Sequence, residues 1–404
     1  MLRHSCLLLL TILFFSCNSG DKDELAKVNP IASPASQSSE EPFLFTAADG
    51  AVYLSWIERK ENKDQFKFSK MIDGKWSTPQ LISEGDNWFV NWADYPSIMV
   101  NSEVMAAHWL QKRAEGTYDY DVRMSLSANE GSAWDESFIP HTDGVSAEHG
   151  FVSMLPMVNN RIFATWLDGR FTKGEEHAEG GHGGAGAMTL RAATFDKNGK
   201  PESEWELDNR VCDCCQTTAA MTSNGPIVIY RNRTEDEIRD MAIVRWENNT
   251  WTEPSIVHAD DWNIAGCPVN GPSVAANKDF VAVSWFTASN ANPTVKLSVS
   301  QDAGKNFAEP IIITQGNTNG RVGTTLLADN SIVVTWMETK NDAAQILLGH
   351  FDKSGNHLAT KTIAQSSAAR SSGFPVVSST GNKVILAWTE VGKTKQVQTA
   401  SVQF

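Results

Sequence analysis

A short alternating segment of apolar residues that ends in an aromatic residue recurs along the chain. The aromatic positions, spaced 53, 57, 64, 55, 51 and 52 residues apart, are Trp56, Trp109, Trp166, Tyr230, Trp285, Trp336 and Trp388. The alternation predicts a β-strand with the aromatic side chain on a buried face. Another short strand precedes each copy, a third follows it, and a fourth follows all but the last. Repeats of four antiparallel strands and about fifty residues are typical of β-propeller blades.

The number of copies predicts an all-β, seven-bladed β-propeller, with a six-bladed ring containing one irregular copy as the alternative. The last copy reaches the end of the sequence at Phe404 after three strands. We therefore expect residues 30–34, Pro-Ile-Ala-Ser-Pro, to supply the strand that closes the ring. A closed ring hides the sheet edges that would otherwise pair with other chains.

The turn between the third and fourth strands carries a recognisable motif. Residues 300–307, Ser-Gln-Asp-Ala-Gly-Lys-Asn-Phe, resemble the Asp-box of bacterial neuraminidase repeats, and residues 127–134 repeat it with Asn129 in place of aspartate. In such a turn the Ser and Asp side chains bind turn amides and Gly adopts a positive φ. The chain thus resembles sialidase-like propeller proteins over residues 43–404.

That resemblance implies the scaffold more than the sialidase reaction. The family pairs three arginines with a Tyr–Glu nucleophile and an Asp acid, and its first arginine lies in an Arg-Ile-Pro motif. No Arg-Ile-Pro occurs here, and Tyr230 is followed at once by Arg231. Fold does not dictate chemistry, so the reaction has to be argued from a site.

Candidate functional residues gather on one predicted face. The loops between second and third strands, and those joining successive blades, lie on one side of a propeller, which we call the top face. A carboxylate there could act as general acid or base, or His and Tyr as the base of a lyase beside arginine. The catalytic candidates are Asp168, Arg170, His149, Tyr230 and Arg231. Arginine forks bind carboxylates and indoles stack on sugar rings, which gives as substrate-binding candidates Trp88, Trp92, Arg113, Arg233, Trp262 and Arg321.

These residues predict a propeller that acts on or binds acidic glycans, as a glycoside hydrolase or a polysaccharide lyase. Whether it is an enzyme stays open. The alternative is a non-catalytic propeller that binds a glycan, a protein or a metal. Pairs such as Asp168 with Arg170 could also simply fix long loops.

The cysteines add a second kind of chemistry. Cys212, Cys214, Cys215 and Cys267 fall on adjacent blade junctions of the top face. Outside the cytoplasm their default state is two disulfides. Three cysteines within four residues could instead hold a soft metal such as copper or zinc, and the His-rich insert at residues 175–184 is a further metal-binding candidate. No other cofactor is expected.

The N-terminus predicts export and anchoring. A short apolar run ends in Ser16-Cys17 and resembles the lipobox of bacterial lipoproteins, which implies lipidation of Cys17. We assign residues 1–16 to the signal peptide, 17–41 to a flexible tether and 42–404 to the propeller, on an outer-membrane lipoprotein at the cell surface. A periplasmic-face or secreted protein is the alternative. The net charge of −14 argues against nucleic acid as a partner, and we expect a monomer.

Overall fold

The structure, a computed structural model, describes residues 27–173, 186–340 and 343–404. Its strands form seven separate antiparallel sheets arranged in a ring, which confirms the seven-bladed β-propeller. The predicted signal peptide, Cys17 and the His-rich insert lie outside the described residues. None of the helices in the described ranges is long and apolar enough to cross a membrane.

The strands of the first three blades follow in chain order. Blade 1 contains β2 (Ser39–Thr46), β3 (Val52–Lys60), β4 (Lys63–Ile72), β5 (Lys75–Trp76) and β6 (Gln80–Gly85); blade 2 contains β7 (Ser97–Val100), β8 (Met105–Lys112) and β9 (Tyr120–Ser127); blade 3 contains β10 (His149–Met157), β11 (Arg161–Asp168), β12 (Met188–Phe195) and β13 (Pro201–Val211). In blade 2 the fourth strand is reduced to one pair of backbone hydrogen bonds, between Met124 and Phe138.

The remaining blades are more regular. Blade 4 contains β14 (Thr218–Met221), β15 (Pro226–Arg231), β16 (Met241–Glu247), β17 (Thr250–Trp251) and β18 (Ser255–His258); blade 5 contains β19 (Ser273–Asn277), β20 (Phe280–Thr287), β21 (Thr294–Ser300) and β22 (Ile311–Gln315); blade 6 contains β23 (Thr318–Leu326), β24 (Ile332–Lys340), β25 (Ala343–Phe351) and β26 (His357–Ser366); blade 7 contains β27 (Val376–Thr380), β28 (Lys383–Val391), β29 (Lys395–Gln403) and β1 (Val28–Ile31). Short 3-10 turns occupy Val158–Asn160, Ser289–Ala291 and Arg370–Ser372.

The N-terminal strand closes the ring. β1 pairs antiparallel with β29, with Asn29 opposite Ser401 and Pro30 opposite Ala400. The observed closing strand, Val28–Ile31, therefore overlaps the predicted segment, residues 30–34, at Pro30 and Ile31. The propeller starts at Val28 rather than at residue 42, because Val28 and Ile31 pack their side chains against the core of blade 7 despite the polar composition around them.

Each recurring aromatic residue lies in the second strand of its blade, as the pattern predicts. Trp56, Trp166 and Trp285 are among the largest side chains with no exposed surface. They pack between neighbouring sheets, so each blade buries its apolar face against the next. Burying a large apolar side chain contributes about 1.5–3 kcal/mol, so each repeated aromatic residue adds substantially to the packing of its blade.

The two Asp-box turns have the predicted hydrogen bonds. Ser300 Oγ accepts from the Gly304 amide at 3.0 Å, and Asp302 Oδ1 accepts from the Asn306 amide at 2.9 Å. The turn at residues 127–134 repeats both bonds, and its Gly131 has a φ of 82°. These turns join third to fourth strands and lie on the face opposite the top face, which we call the bottom face. Their role is to fix the hairpins.

Candidate functional site

The strand register brings the predicted top-face residues together. In blade 3, His149 at the start of β10 lies opposite Asp168 at the end of β11, and Met188 of β12 lies opposite Val211 of β13. The next amide, of Cys212, donates to the Arg231 carbonyl of blade 4 at 3.0 Å. Asp168, Cys212 and Arg231 thus share one end of the ring.

A buried group of histidines and carboxylates lies at the junction of blades 2 and 3. We call Asp121, His141, Asp143, His149 and Asp168 the His–Asp cluster. The two imidazole rings stack in parallel with centroids 3.7 Å apart. Asp143 Oδ2 lies 2.9 Å from His141 Nδ1 and 3.2 Å from His149 Nε2, so one carboxylate bridges both rings.

The two histidines differ in their hydrogen-bond surroundings. His149 has acceptors at both nitrogens: Nδ1 lies 3.1 Å from the Ala147 carbonyl oxygen and Nε2 faces Asp143. Burial lowers the pKa of His149, but its hydrogen bond to Asp143 and the charge of Asp168 outweigh that effect and raise it. Burial and the neighbouring His149 lower the pKa of His141 to about 4. The surroundings therefore favour the protonated form of His149 and the neutral form of His141.

Positive charges already balance the His–Asp cluster. Burial raises the pKa of Asp168, but the two hydrogen bonds from the Arg170 guanidinium, at 2.8 and 2.7 Å, bring it below its usual value. Arg113 pairs with Asp121 at 3.0 Å. With His149 charged, three cations face three carboxylates, an arrangement typical of a structural ion network.

Asp168, the leading catalytic candidate, has a structural partner that the sequence did not reveal. Its Oδ2 accepts a hydrogen bond from the Trp166 indole at 2.9 Å, and its side chain has no exposed surface. Glu338 binds the Trp336 indole in the same way at 2.8 Å. A carboxylate two residues after the blade tryptophan therefore satisfies a buried indole N–H, which would otherwise cost free energy.

The other catalytic candidates are also buried and separately bonded. His149 has no exposed surface, and the Tyr230 hydroxyl donates to Asp208 Oδ2 at 2.5 Å. Arg231 donates to the carbonyls of Arg239 and Asn270, both at 2.7 Å. The structure does not bring His149, Tyr230 and Arg231 together around one open position.

The substrate-binding candidates are likewise occupied by internal contacts. Arg321 is buried, donates to Ser372 Oγ at 2.7 Å and stacks on Trp92 with 4.9 Å between guanidinium and ring. Burial and the nearby Arg370 lower the pKa of Arg321 to about 10. Arg231 stacks on the buried Trp262 at 4.8 Å.

Two further candidates contact their own neighbours. Arg233 binds Asp213 at 3.1 Å and Glu237 at 2.7 Å. Trp88 packs against Trp109 with ring centroids 5.4 Å apart. Together with the buried arginines, these contacts leave few of the predicted guanidinium groups available to an external anion.

The four cysteines converge on the top face beside these arginines. Cys212, Cys214 and Cys215 follow β13, and their three Sγ atoms all lie within 4.8 Å of one another. Cys212 Sγ is 3.7 Å from Cys215 Sγ and 3.9 Å from Cys214 Sγ. Cys267, from the junction of blades 4 and 5, hydrogen-bonds to Cys214. We call these four residues the cysteine cluster.

The predicted disulfides are not formed in this structure. No disulfide joins these cysteines in the described residues, and the Cys212 Sγ distances above far exceed a sulfur–sulfur bond of about 2.05 Å. The tight loop instead gathers the three thiols of Cys212, Cys214 and Cys215 around one common centre. Sequence reasoning found the four residues and their shared face, but not their mutual arrangement.

Cationic groups surround this cluster. Arg239 Nη1 donates to Cys212 Sγ at 3.2 Å, and the Arg239 side chain is buried. Burial raises the pKa of Cys212 to about 11. Burial also opposes ionisation of Cys215, but hydrogen bonds from Cys212 and Cys214 and the charge of Arg231 bring its pKa well below the usual value. These surroundings favour the thiolate form at Cys215 and the neutral thiol at Cys212.

Several residues of these two clusters were not singled out in the sequence. Asp121, His141 and Asp143 belong to the His–Asp cluster, and Asn270 anchors Arg231. The signal that could have located two of them is the spacing His141-x-Asp143 upstream of His149 within one blade junction. That junction has no strand periodicity, because the fourth strand of blade 2 is reduced to a single bridge.

Comparisons with known proteins support the fold alone. No protein-family model matches the sequence, and no curated protein matches it significantly. The polysaccharide lyase Uly1 has a similar structure, with a TM-score of 0.53, 9% identity, and 90% of this chain and 89% of that chain covered. The K499G mutant of NanB sialidase from Streptococcus pneumoniae has a TM-score of 0.47 and 9% identity, with 93% of this chain and 94% of that chain covered. The α-L-arabinanase of Penicillium chrysogenum has a TM-score of 0.46 and 11% identity, with 94% of this chain and 97% of that chain covered. The chain therefore shares its β-propeller fold with the polysaccharide lyase Uly1. An activity for this chain has to be argued from the residues of its own site.

Proposed function

We propose that this protein is a β-propeller that binds a thiophilic metal ion, Cu(I) or Zn(II), at the cysteine cluster. The observation that carries the proposal is the convergence of three Sγ atoms within 4.8 Å of one another, with Cys267 bonded to the same group. Thiolates are the preferred ligands of Cu(I) and of structural Zn(II), which takes four ligands in a tetrahedron.

Two arginines beside the cysteine cluster offset part of the negative charge of thiolate ligands. Metal binding requires cysteines to lose their protons, and each new negative charge in a buried site is costly unless it is compensated. Arg239, which donates to Cys212, and Arg231, whose charge acts on Cys215, provide that compensation. Because Cys212 and Cys215 are buried while Cys214 and Cys267 are partly exposed, an ion can enter from the Cys214 side.

The burial of the catalytic candidates argues against glycosidase activity at the top face. Asp168 and His149 have no exposed surface, and each is bound to charged partners. A general acid or base must reach the substrate directly or through one water molecule. In these positions Asp168 and His149 stabilise the fold and do not contact a substrate.

Metal analysis of the full chain tests this function. The protein is purified without oxygen, loaded with Cu(I) or Zn(II), desalted and measured by inductively coupled plasma mass spectrometry. We expect one ion per chain, lost in Cys212→Ser and in Cys215→Ser. The matched control is His149→Gln, which disrupts the other group of potential metal ligands.

Two outcomes would overturn the proposal. One is retention of the metal by both cysteine variants together with its loss from His149→Gln, which would place the ion in the His–Asp cluster. The other is a native protein that binds no metal and whose mass shows two disulfides, which would restore the pairing that the sequence predicts.

Glycan binding is the second candidate function. The observation that favours it is the fold shared with the polysaccharide lyase Uly1 over 90% of this chain. For an acidic glycan, one accessible cation on the top face is Arg370, which is exposed beside Trp92. A glycan array with the native protein and Arg370→Ala tests it: acidic ligands lost in the variant support this candidate, and no acidic ligand refutes it.

We further propose that Cys17 carries a lipid that anchors the propeller to the outer membrane, facing the cell surface. The lipobox-like sequence before Cys17 supports this location. Fractionation of cells that express the full chain, with Cys17→Ala as the variant, is the test. Native protein in the membrane fraction and variant protein in the soluble fraction would support the anchor, and identical fractionation would refute it.

A further inference from the structure

A cleft between blades 3 and 4 opens on the bottom face, away from the metal-binding cysteines. Its volume is about 620 Å³, and its walls come from the turn at Val158–Asn160, the turn that precedes β15, and the β16–β17 hairpin. We call it the tryptophan cleft, because Trp205, Trp246 and Trp251 line it.

The three indoles form one aromatic group. Their ring centroids are 5.5, 5.6 and 6.1 Å apart, and each pair meets edge to face at 65° to 74°. All three side chains are half-buried, so part of each ring remains available at the cleft surface. Partly exposed indoles of this kind bind apolar ring faces while leaving the N–H for a hydrogen bond.

Polar groups in the walls lack hydrogen-bond partners. Thr194 is buried at 2% exposure, and its hydroxyl has no partner among the described residues. The same holds for the Trp251 indole N–H. Exposed Asn224 and Asn249 add amide groups at the rim. Both of these atoms are shielded within the wall, so a ligand in the cleft meets the exposed rim amides rather than these two groups.

The cleft carries no free charge. Its one charged wall residue, Arg161, forms an ion pair with Glu202. A cleft of similar size between blades 1 and 2, about 570 Å³, provides an internal contrast. It is lined by Asp49, Lys70, Glu103 and Glu130 and contains no tryptophan. The combination of indoles with uncharged hydroxyl and amide groups therefore distinguishes this cleft from the one between blades 1 and 2.

We infer that the tryptophan cleft binds a neutral oligosaccharide. Sugar rings offer apolar C–H faces for the indoles and hydroxyls for Asn224 and Asn249 at the rim, whereas a carboxylated sugar would find no cation without breaking the Arg161 pair. This site goes beyond the metal-binding function, and it places glycan recognition on the bottom face rather than at the top-face arginines.

Binding is measured by isothermal titration calorimetry and by tryptophan fluorescence on the full chain. The probes are linear neutral oligosaccharides of glucose, xylose and arabinose, with oligogalacturonate as the acidic counterpart. We expect at least one neutral probe to bind with a fluorescence change. Trp246→Ala should weaken binding by about tenfold or more, which is about 1.4 kcal/mol. Asn224→Ala, at an exposed position, should weaken it by about threefold.

Controls separate misfolding and metal loss from loss of the site. Trp246→Phe should keep much of the binding, and equal melting temperatures would show that the variants fold. Lys70→Ala, in the contrasting cleft, should leave binding unchanged, as should Cys212→Ser, so the metal-binding function can fail without affecting this result. The inference is overturned if no neutral probe binds, if Trp246→Ala and Asn224→Ala both bind normally, or if oligogalacturonate binds better and loses binding in Arg370→Ala.

Discussion

Raising the pH should destabilise this propeller through one buried carboxyl group, that of Asp94. Its Oδ1 accepts a hydrogen bond from the Phe151 amide at 2.7 Å, while its buried Oδ2 has no partner. Oδ2 also lies close to the Gly150 backbone, where an added Cβ would be 2.0 Å away. Burial is the largest effect and raises the pKa of Asp94 from 3.8 to about 7.

The sign and size of the effect follow from this shift. Below about pH 4 the carboxyl is protonated in both the folded and unfolded states, and between about pH 4 and pH 7 only the folded state keeps the proton. The free energy of unfolding therefore falls as the pH rises through that window. The shift of about three units corresponds to a loss of about 4 kcal/mol by about pH 8. Buried Glu41, whose pKa burial also raises, acts in the same direction.

Asp94→Asn isolates this contribution, because asparagine keeps the acceptor for Phe151 and stays neutral. Urea unfolding is followed by tryptophan fluorescence between about pH 3.5 and about pH 8. We expect the variant to match the native protein at the acid end and to exceed its stability by about 2–4 kcal/mol at the alkaline end. Asp279→Asn, at an exposed turn, is the control and should leave the pH dependence unchanged. An Asp94→Asn variant with the native pH dependence, or with lower stability at about pH 8, would refute the reasoning.

Three further changes test the architecture. Asp168→Asn removes the partner of Arg170 and should lower the free energy of unfolding by about 3 kcal/mol, measured by urea titration; a change within about 0.5 kcal/mol would contradict the structural role of the pair. Gly131→Ala places a Cβ 2.3 Å from Phe68 Cζ at a φ of 82°, whereas Gly381→Ala has nothing within 4 Å at a φ of 60°. The first should therefore cost about 2 kcal/mol more than the second by the same assay, and equal costs would refute the close contact. Deleting residues 1–31 removes the strand that pairs with β29 and should lower the melting temperature by several degrees in calorimetry; an unchanged value would contradict ring closure by β1.

The repeat made the fold predictable from sequence. An aromatic residue at the same place in each unit has one physical explanation, burial between equivalent sheets, so Trp56 and Trp285 identified their strands without further information. The rule that two kinds of loop share one face then placed Asp168, Cys212 and Arg231 correctly. Both inferences depend only on local periodicity and chain direction.

The use of each top-face residue was not predictable in the same way. Arg231 and Arg321 looked available to a ligand, but both donate hydrogen bonds to backbone carbonyl groups in loops, those of Asn270 and Gly373. Asp168 looked catalytic, but it binds the indole of its own blade. A sequence shows which residues share a loop and not which backbone groups lack a partner, so interior arginines and carboxylates are easily mistaken for binding residues.

X-ray absorption spectroscopy of the metal-loaded full chain tests the central claim most directly. If the cysteine cluster holds the ion, the spectrum at the metal edge will show three or four sulfur neighbours at about 2.3 Å, and Cys215→Ser will remove one or abolish binding. A shell of nitrogen and oxygen atoms alone at about 2.0–2.2 Å would place the ion elsewhere and contradict the account.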